Sequence, residues 1–296
     1  MKEYNPENIR NIAFVGHGSS GKTSIAENLL FQAGEINRIG RIEEGNTVAD
    51  YNPNEIERQI SISLAPLHLE WNSTKVNIID TPGFPDFIGQ VIAGLHVVDT
   101  AVSVIKSAEG IEVSTEQTWG FIKDKSLPAA VIINKCDSEH SKFFETLEQA
   151  KELLSNDIIP VTFPAKEGLA FNSVVDLLKM KLVTYGDSGS KKVTESDIPA
   201  DLKEQAEKLR EELIEKIAES DEELMNRFFE EGTLNDDELK SGLKKAIINL
   251  GLIPAFALSA TKGVGLNSFL DFTVNYLPSP ADRSTAIAIN KDTEEE

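Results

Sequence analysis

The chain has 296 residues, enough for one large domain or two smaller ones, and 40% of them are hydrophobic. Its net charge of −20 argues against a protein that coats nucleic acid, and we expect no direct sequence-specific nucleic-acid binding. The single cysteine, Cys136, excludes an internal disulfide, and no apolar run approaches the roughly 18 residues of a membrane span, so we expect a cytoplasmic protein with no membrane partner.

The first half of the chain alternates strand patterns with helix patterns. The run IRNIAFVG (9–16) predicts a strand, a glycine-rich turn follows, and SIAENLLFQAG (24–34) predicts a helix. Residues 38–61 are polar and irregular. Further strands are predicted at LHLEW (67–71), KVNIID (75–80), TAVSVIKS (100–107) and AAVIIN (129–134), with a turn at Asn72-Ser73 and helical patterns near 113–124 and 141–154. Strands that alternate with helices predict an α/β sheet.

The pattern changes after about residue 160. IIPVTFP, VVDLLKMKLVTY and the turn GDSGS predict short strands with a helix. Two amphipathic helices are predicted next, at 201–219 and at 238–251, the second closed by Gly251. IPAFALSA then returns to a strand, and a last helix runs to YLPSP. We therefore expect a sheet domain at 1–160 and 252–281, an inserted subdomain at 161–251, and a mobile tail or linker at 282–296.

The negative charge is concentrated in the predicted insertion. Residues 195–240 hold 17 acidic and 6 basic side chains, a net charge of −11. One interpretation is a charged helical surface that faces solvent. The alternative, a more specific hypothesis, is a docking face for a basic partner.

The stretch GHGSSGKT matches the phosphate-loop pattern G-x-x-x-x-G-K-[ST], between a predicted strand and a predicted helix. The glycines let backbone N–H groups surround phosphate oxygens, and the helix N-terminus favours the same negative charge. An ordinary strand–helix turn is the alternative. The predicted phosphate-binding residues are Gly16, His17, Gly18, Ser19, Ser20, Gly21, Lys22, Thr23 and Ser24.

A carboxylate and a glycine in DTPG complete the phosphate end of the predicted site. Asp80 ends the strand KVNIID and is placed to join Thr23 around Mg²⁺, as in P-loop nucleotidases. The backbone N–H of Gly83 can report whether a γ-phosphate is present. Lys22 would reach the β- and γ-phosphates.

The stretch NKCD predicts the base that the site accepts. Asp137 can accept hydrogen bonds from both N–H groups on the Watson–Crick edge of guanine, whereas adenine presents the opposite pattern. Asn134 can brace the loop, and the stem of Lys135 can lie across the base. Ser259, Ala260 and Thr261, after the strand IPAFAL, can close over the guanine. The motifs together predict GTP and GDP rather than ATP.

On these motifs the chain resembles the translational GTPases, specifically the GTP-binding domain of elongation factor G, from about residue 8 to residue 280. EGNTVADYNPNEIERQISI (44–62) is similar to the first switch region of that family, with Arg58, Ile60 and Ile62 where the family has R-G-I-T-I. The resemblance implies a Ras-like P-loop GTPase domain, with a mostly parallel sheet flanked by helices, plus an inserted α+β subdomain. It also implies Mg²⁺, the ribosome as partner, and contact between the acidic insertion and the ribosomal stalk.

Three positions depart from the family pattern, and all three bear on hydrolysis or switching. The family's loop GHVDAGKT has an aspartate where this chain has Ser19, and the switch threonine that holds Mg²⁺ is Ser61 here. The family's DTPGH has a water-positioning histidine where this chain has Phe84. These departures resemble the elongation factor G-like paralogue group. The residues expected to bear on catalysis are Lys22, Ser61, Gly83 and Phe84, and those expected at the metal are Thr23, Ser61 and Asp80.

Several functions remain open from the sequence. The first is a ribosome-associated GTPase acting in elongation, recycling or rescue, with slow hydrolysis because of Phe84. The second is a GTP-dependent ribosome-binding module with little or no turnover. A P-loop kinase or ATPase is disfavoured by NKCD, and a relative that protects the ribosome from antibiotics shares the same domain. Since the family continues into a β-barrel, we expect residues 1–296 to be part of a longer protein.

Overall fold

A computed structural model describes residues 2–186 and 190–282. The turn GDSGS lies partly outside the described residues, and the predicted tail lies outside them beyond Asp282. The strands are β1 (Ile9–Val15), β2 (Ala65–Trp71), β3 (Thr74–Asp80), β4 (Thr100–Lys106), β5 (Ala129–Asn134), β6 (Ile158–Pro160), β7 (Thr162–Pro164), β8 (Ser173–Asp176), β9 (Lys181–Tyr185), β10 (Val193–Ser196) and β11 (Ile253–Ala257). The α-helices are α1 (Lys22–Ala33), α2 (Pro53–Arg58), α3 (Ile88–His96), α4 (Val113–Asp124), α5 (Phe143–Leu153), α6 (Ala200–Ala218), α7 (Glu222–Glu231), α8 (Asp236–Ile248) and α9 (Leu266–Tyr276).

The larger sheet has seven strands in the order β2-β3-β1-β4-β5-β11-β6. Strand β2 runs antiparallel to its neighbour β3, and the other pairs are parallel. Every residue of β4 and β5 is buried, which explains why both strands read as unbroken apolar and small-residue runs. The α/β fold class predicted from the alternating pattern is confirmed.

A smaller antiparallel sheet, in the order β10-β9-β8-β7, follows the parallel sheet in the chain. Helices α6, α7 and α8 come next, and α6 contacts both of the others. The chain then re-enters the larger sheet through β11, which pairs with β5 and β6. Strand β11 thereby brings the chain back beside the strand that carries NKCD.

Several features differ from the sequence-based predictions. The stretch VVDLLKMKLVTY contains no helix: it forms β8, a turn and β9. Helices α2, α3 and α7 lie where no helix was predicted. The last turn of α8 is followed by Leu250 in the left-handed region, with φ +63°, so Gly251 does not take that conformation as predicted. Within the described residues, no helix is long and apolar enough to cross a membrane.

The core of the larger sheet centres on aromatic rings from three elements. Phe14 of β1 contacts Phe269 of α9, with ring centroids 6.3 Å apart, and Phe256 of β11 contacts Phe269 edge-on at 5.4 Å. All three side chains are at most 1% exposed. This packing fixes β1 and β11, and therefore the loops that leave their carboxyl ends.

Candidate functional site

The predicted phosphate loop connects β1 to α1, as the strand–loop–helix pattern required. Gly21 precedes the helix with φ +97°, and a Cβ there would lie 2.3 Å from the amide nitrogen of Asn134, so only glycine fits. Ser19 also has a positive φ, of +61°. The loop therefore curls back on itself at the N-terminus of a twelve-residue helix, where backbone N–H groups favour an anion.

Lys22 is folded onto the loop that precedes it. Its Nζ donates to the carbonyl oxygens of Gly16 at 3.0 Å and of His17 at 2.9 Å, and the residue is 5% exposed. Burial lowers the pKa of Lys22 to about 8, while the carboxylate of Asp80 acts in the opposite direction. A buried ammonium group that donates to two loop carbonyls is well placed to pair with a phosphate oxygen.

Three side-chain oxygens meet at the predicted metal position. The Thr23 hydroxyl donates to Asp80 Oδ2 at 2.6 Å, and Ser61 Oγ lies 3.3 Å from Thr23 Oγ1. Asp80 is 2% exposed, and its Oδ1 has no hydrogen-bond partner among the described residues. Burial raises the pKa of Asp80 to about 7. Hydroxyl and carboxylate oxygens are ligands that Mg²⁺ prefers, so the donor set fits that ion.

A second buried carboxylate, Asp50, stands beside this cluster and was not predicted. It is 4% exposed, the Ser61 hydroxyl donates to it, and burial raises its pKa. Its Oδ2 is buried without a partner among the described residues. Asp50 lies within the polar stretch 38–61, which has no periodicity, so no local pattern distinguishes it from the other polar residues there.

Two further carboxylates hold this polar stretch in place. Glu55 accepts hydrogen bonds from the backbone N–H groups of Ile62 and Ser63, both at 2.9 Å. Glu27 of α1 accepts from the N–H of Gly40 at 3.2 Å and from the N–H of Val48. Both carboxylates are nearly fully buried. The segment that carries Ser61 and Asp50 is therefore tied to α1 and closed by α2.

Phe84 lies over the phosphate loop. Its ring packs against Gly18, where a Cβ would lie 3.1 Å from the ring, and the side chain is 37% exposed. Gly83 packs more closely still, since a Cβ there would lie 2.5 Å from Lys22 Nζ. A phenyl ring beside the loop neither donates nor accepts a proton.

Asn134 connects the phosphate loop to the predicted base-binding segments. Its Nδ2 donates to the carbonyl oxygen of Ser20 at 2.8 Å, and its Oδ1 accepts from the N–H of Ala260 at 3.0 Å. Ser259 is fully buried, and its hydroxyl accepts from the N–H of Lys262. Asp137 is half-buried just beyond Asn134 in NKCD. The two base-binding segments predicted from the sequence therefore lie side by side.

One cleft brings most of the predicted residues together. The predicted residues that line it are Gly18, Ser19, Gly21, Lys22, Thr23, Ser24, Ser61, Gly83, Phe84, Lys135 and Thr261. The lining residues absent from the predicted set are Ile42, Glu43, Gln59 and Ile60. Asp137 is not among the lining residues. Gln59 has a left-handed backbone conformation, with φ +54°.

The parallel sheet, the curled phosphate loop and the paired Thr23 and Asp80 define the P-loop class of nucleotide-binding proteins. Residues 7–279 match the elongation factor Tu GTP binding domain, and the chain belongs to this family of translational GTPases. A crystal structure from Thermus thermophilus is similar, with 29% sequence identity and a TM-score of 0.87. The match covers 93% of this chain and 41% of the Thermus chain, so the chain spans less than half the length of that relative.

Proposed function

We propose that the chain is the GTP-binding domain of an elongation factor G-like translation factor, binding Mg²⁺-GTP and coupling its hydrolysis to interaction with the ribosome. The observation that carries the proposal is the convergence of Lys22, the Thr23–Asp80–Ser61 cluster and the Asn134 bridge around one cleft. Family membership supports the GTPase class.

At the phosphate end, each residue has one task. Lys22 would leave the carbonyl groups of Gly16 and His17 and pair with phosphate oxygens. Thr23, Asp80 and Ser61 would hold Mg²⁺, which supplies charge neutralisation at the β- and γ-phosphates. Asp50 would orient Ser61. Because Ser61 is carried by the segment held by Glu27 and Glu55, a γ-phosphate that engages Ser61 would also order that segment.

At the base end, Asn134 would brace two segments while Asp137 selects guanine. Lys135 has a left-handed backbone conformation, φ +61°, and lines the cleft together with Thr261. This position is consistent with a lysine stem that lies across the base. The backbone of Ser259 and Ala260 would close the opposite edge.

A second function, a GTP-dependent ribosome-binding module with little or no turnover, is favoured by Phe84. Its ring covers Gly18 at the position of the family's histidine, and it cannot orient a water molecule through a hydrogen bond. Ser19 likewise supplies no carboxylate near the β–γ bridge. We infer slow intrinsic hydrolysis in either case.

The partner and the domain division are part of the proposal. We propose a cytoplasmic location, with the ribosome as partner. Residues 161–251 would form a subdomain inserted between 1–160 and 252–281. The acidic helices α6 and α7 would present its docking face, and the ribosomal stalk is the partner that the family resemblance suggests.

Ribosome-stimulated hydrolysis tests the proposal. Single-turnover GTP hydrolysis would be measured with and without ribosomes, for the full-length protein and for Lys22→Ala as the binding-deficient control. Stimulation in the wild type that the control lacks supports the coupled GTPase. GTP-dependent ribosome binding without stimulation supports the binding module, and the absence of both contradicts the proposed function.

A further inference from the structure

We propose that Lys262 and the loop between β7 and β8, residues 165–172, are positioning elements for guanine recognition. The inference rests on the proposed function, because it assigns how the same base site is held. Neither element was singled out by the sequence, and neither lines the cleft described above. Both contact the segments that do the recognition.

Lys262 ties the segment after β11 to this loop. Its Nζ donates to the carbonyl oxygens of Leu169 at 2.6 Å and of Phe171 at 3.3 Å. Phe171 is fully buried, so the loop is anchored at that point. Lys262 itself follows Thr261 directly, and its own N–H donates to the Ser259 hydroxyl at 3.1 Å. A displacement of the loop would therefore move the segment 259–262.

The same loop holds NKCD from the other side. The N–H of Gly168 donates to the carbonyl oxygen of Cys136 at 2.9 Å. Glu167 Oε2 accepts from the Ser141 hydroxyl at 2.5 Å and from the N–H of Phe143 at 2.7 Å, at the start of α5. One short loop thus contacts both guanine-recognition segments, and it belongs to the proposed insertion.

These contacts complete a brace around the base site. Asn134 links the two segments from the buried side through Ala260, and the loop 165–172 links them from the outer side through Lys262 and Gly168. Guanine selection requires the carboxylate of Asp137 and the backbone of Ala260 to stay at a fixed separation. The loop sets that separation, so the affinity for the base depends on how well the loop is ordered. Because such coupling is reciprocal, binding of the base should in turn order the loop.

Lys262→Met is the main test variant, because it removes the charge-assisted hydrogen bonds and keeps the side chain's length. We expect the affinities for GDP and for GTP to fall together by roughly tenfold, since the change lies at the base end. The preference for GDP over inosine diphosphate, which lacks the 2-amino group, should fall as well. Lys262→Arg should restore both values. Lys166→Met, an exposed lysine in the same loop, is the matched control and should change neither.

Two further measurements cover a Lys262→Met protein that fails to fold. Glu167→Ala should weaken GDP binding and lower the same guanine preference, and GDP should slow amide hydrogen exchange in residues 165–172 of the wild type. A folded Lys262→Met protein with wild-type affinity and preference overturns the inference, as does unchanged exchange on GDP binding. A loss of affinity with unchanged base preference and no rescue by arginine also overturns it, because that result indicates a purely structural role. If the wild type does not bind GDP, the proposed function fails instead.

Discussion

Replacing Asp80 by asparagine should stabilise the protein in the absence of Mg²⁺ and nucleotide. The side chain is 2% exposed and burial raises its pKa from 3.8 to about 7, so its charge opposes folding above that pH. The difference between these two values corresponds to at most ~4 kcal/mol. Asparagine keeps an acceptor for the Thr23 hydroxyl without the charge. The attraction between Asp80 and Lys22 lowers the pKa of Asp80 and is already contained in this difference.

The gain should depend on pH in a defined direction. Between pH 3.8 and about 7 the native protein binds more protons at Asp80 than the unfolded chain does, so this group's contribution to stability falls as the pH rises through that window. The advantage of Asp80→Asn should therefore be largest at about pH 8 and shrink towards zero near pH 4. Mg²⁺ should stabilise the nucleotide complex of the wild type and should not stabilise that of Asp80→Asn.

Urea denaturation at several pH values, with a chelator present, measures the predicted difference. Asp137→Asn is the matched control, since it makes the same chemical change at a carboxylate that is only half-buried, and any gain in stability should be smaller than that of Asp80→Asn. An Asp80→Asn protein no more stable than the wild type at about pH 8, or an advantage that does not shrink as the pH falls, would contradict this prediction.

Three further predictions concern switching, hydrolysis and docking. Ser61→Ala should leave GDP affinity unchanged and weaken binding of a non-hydrolysable GTP analogue in calorimetry, because only the γ-phosphate engages that segment; equal losses would count against the assignment. Phe84→His should raise the rate of single-turnover hydrolysis on the ribosome by at most ~10²–10⁴-fold, and the double variant with Ser19→Asp should gain more than the two single variants combined. Wild-type hydrolysis as fast as that of a histidine-bearing factor would show that another group positions the water. Reversing the charges of the exposed Glu211 and Glu215 on α6 should slow association with ribosomes in low-salt stopped-flow experiments without altering GTP affinity. An unchanged association rate would indicate that α6 is only a solvent-exposed helix.

The phosphate end of the site could be predicted because contiguous residues carry its chemistry. GHGSSGKT specifies a loop whose glycine geometry and lysine position are local, and in the structure Lys22 contacts the loop carbonyls while Thr23 contacts Asp80. Strands β4 and β5 could also be predicted, since both are buried throughout and consist mostly of β-branched, other apolar and small residues. Local sequence determines these features, so no knowledge of distant contacts was needed.

The missed features depend on contacts between distant parts of the chain. Asp50 gains its importance only when Ser61 donates to it, and nothing in its neighbourhood marks it. Helix α2 is six residues long and depends on Glu55. This carboxylate caps the start of the helix and also accepts hydrogen bonds from backbone N–H groups that follow the end of the helix. Lys262 looks like any surface lysine in sequence, and its role depends on a loop about 90 residues earlier.

Nucleotide competition measures whether the cleft selects guanine. Displacement of a fluorescent GDP analogue would be measured with GTP, ATP and xanthosine triphosphate, for the wild type and for Asp137→Asn. We expect displacement by GTP and not by ATP in the wild type, and a shift towards the xanthine nucleotide in the variant, with a loss of GTP affinity of at least ~1–3 kcal/mol. Equal displacement by ATP and GTP, or an Asp137→Asn protein with wild-type GTP affinity, would contradict the proposed selection of guanine.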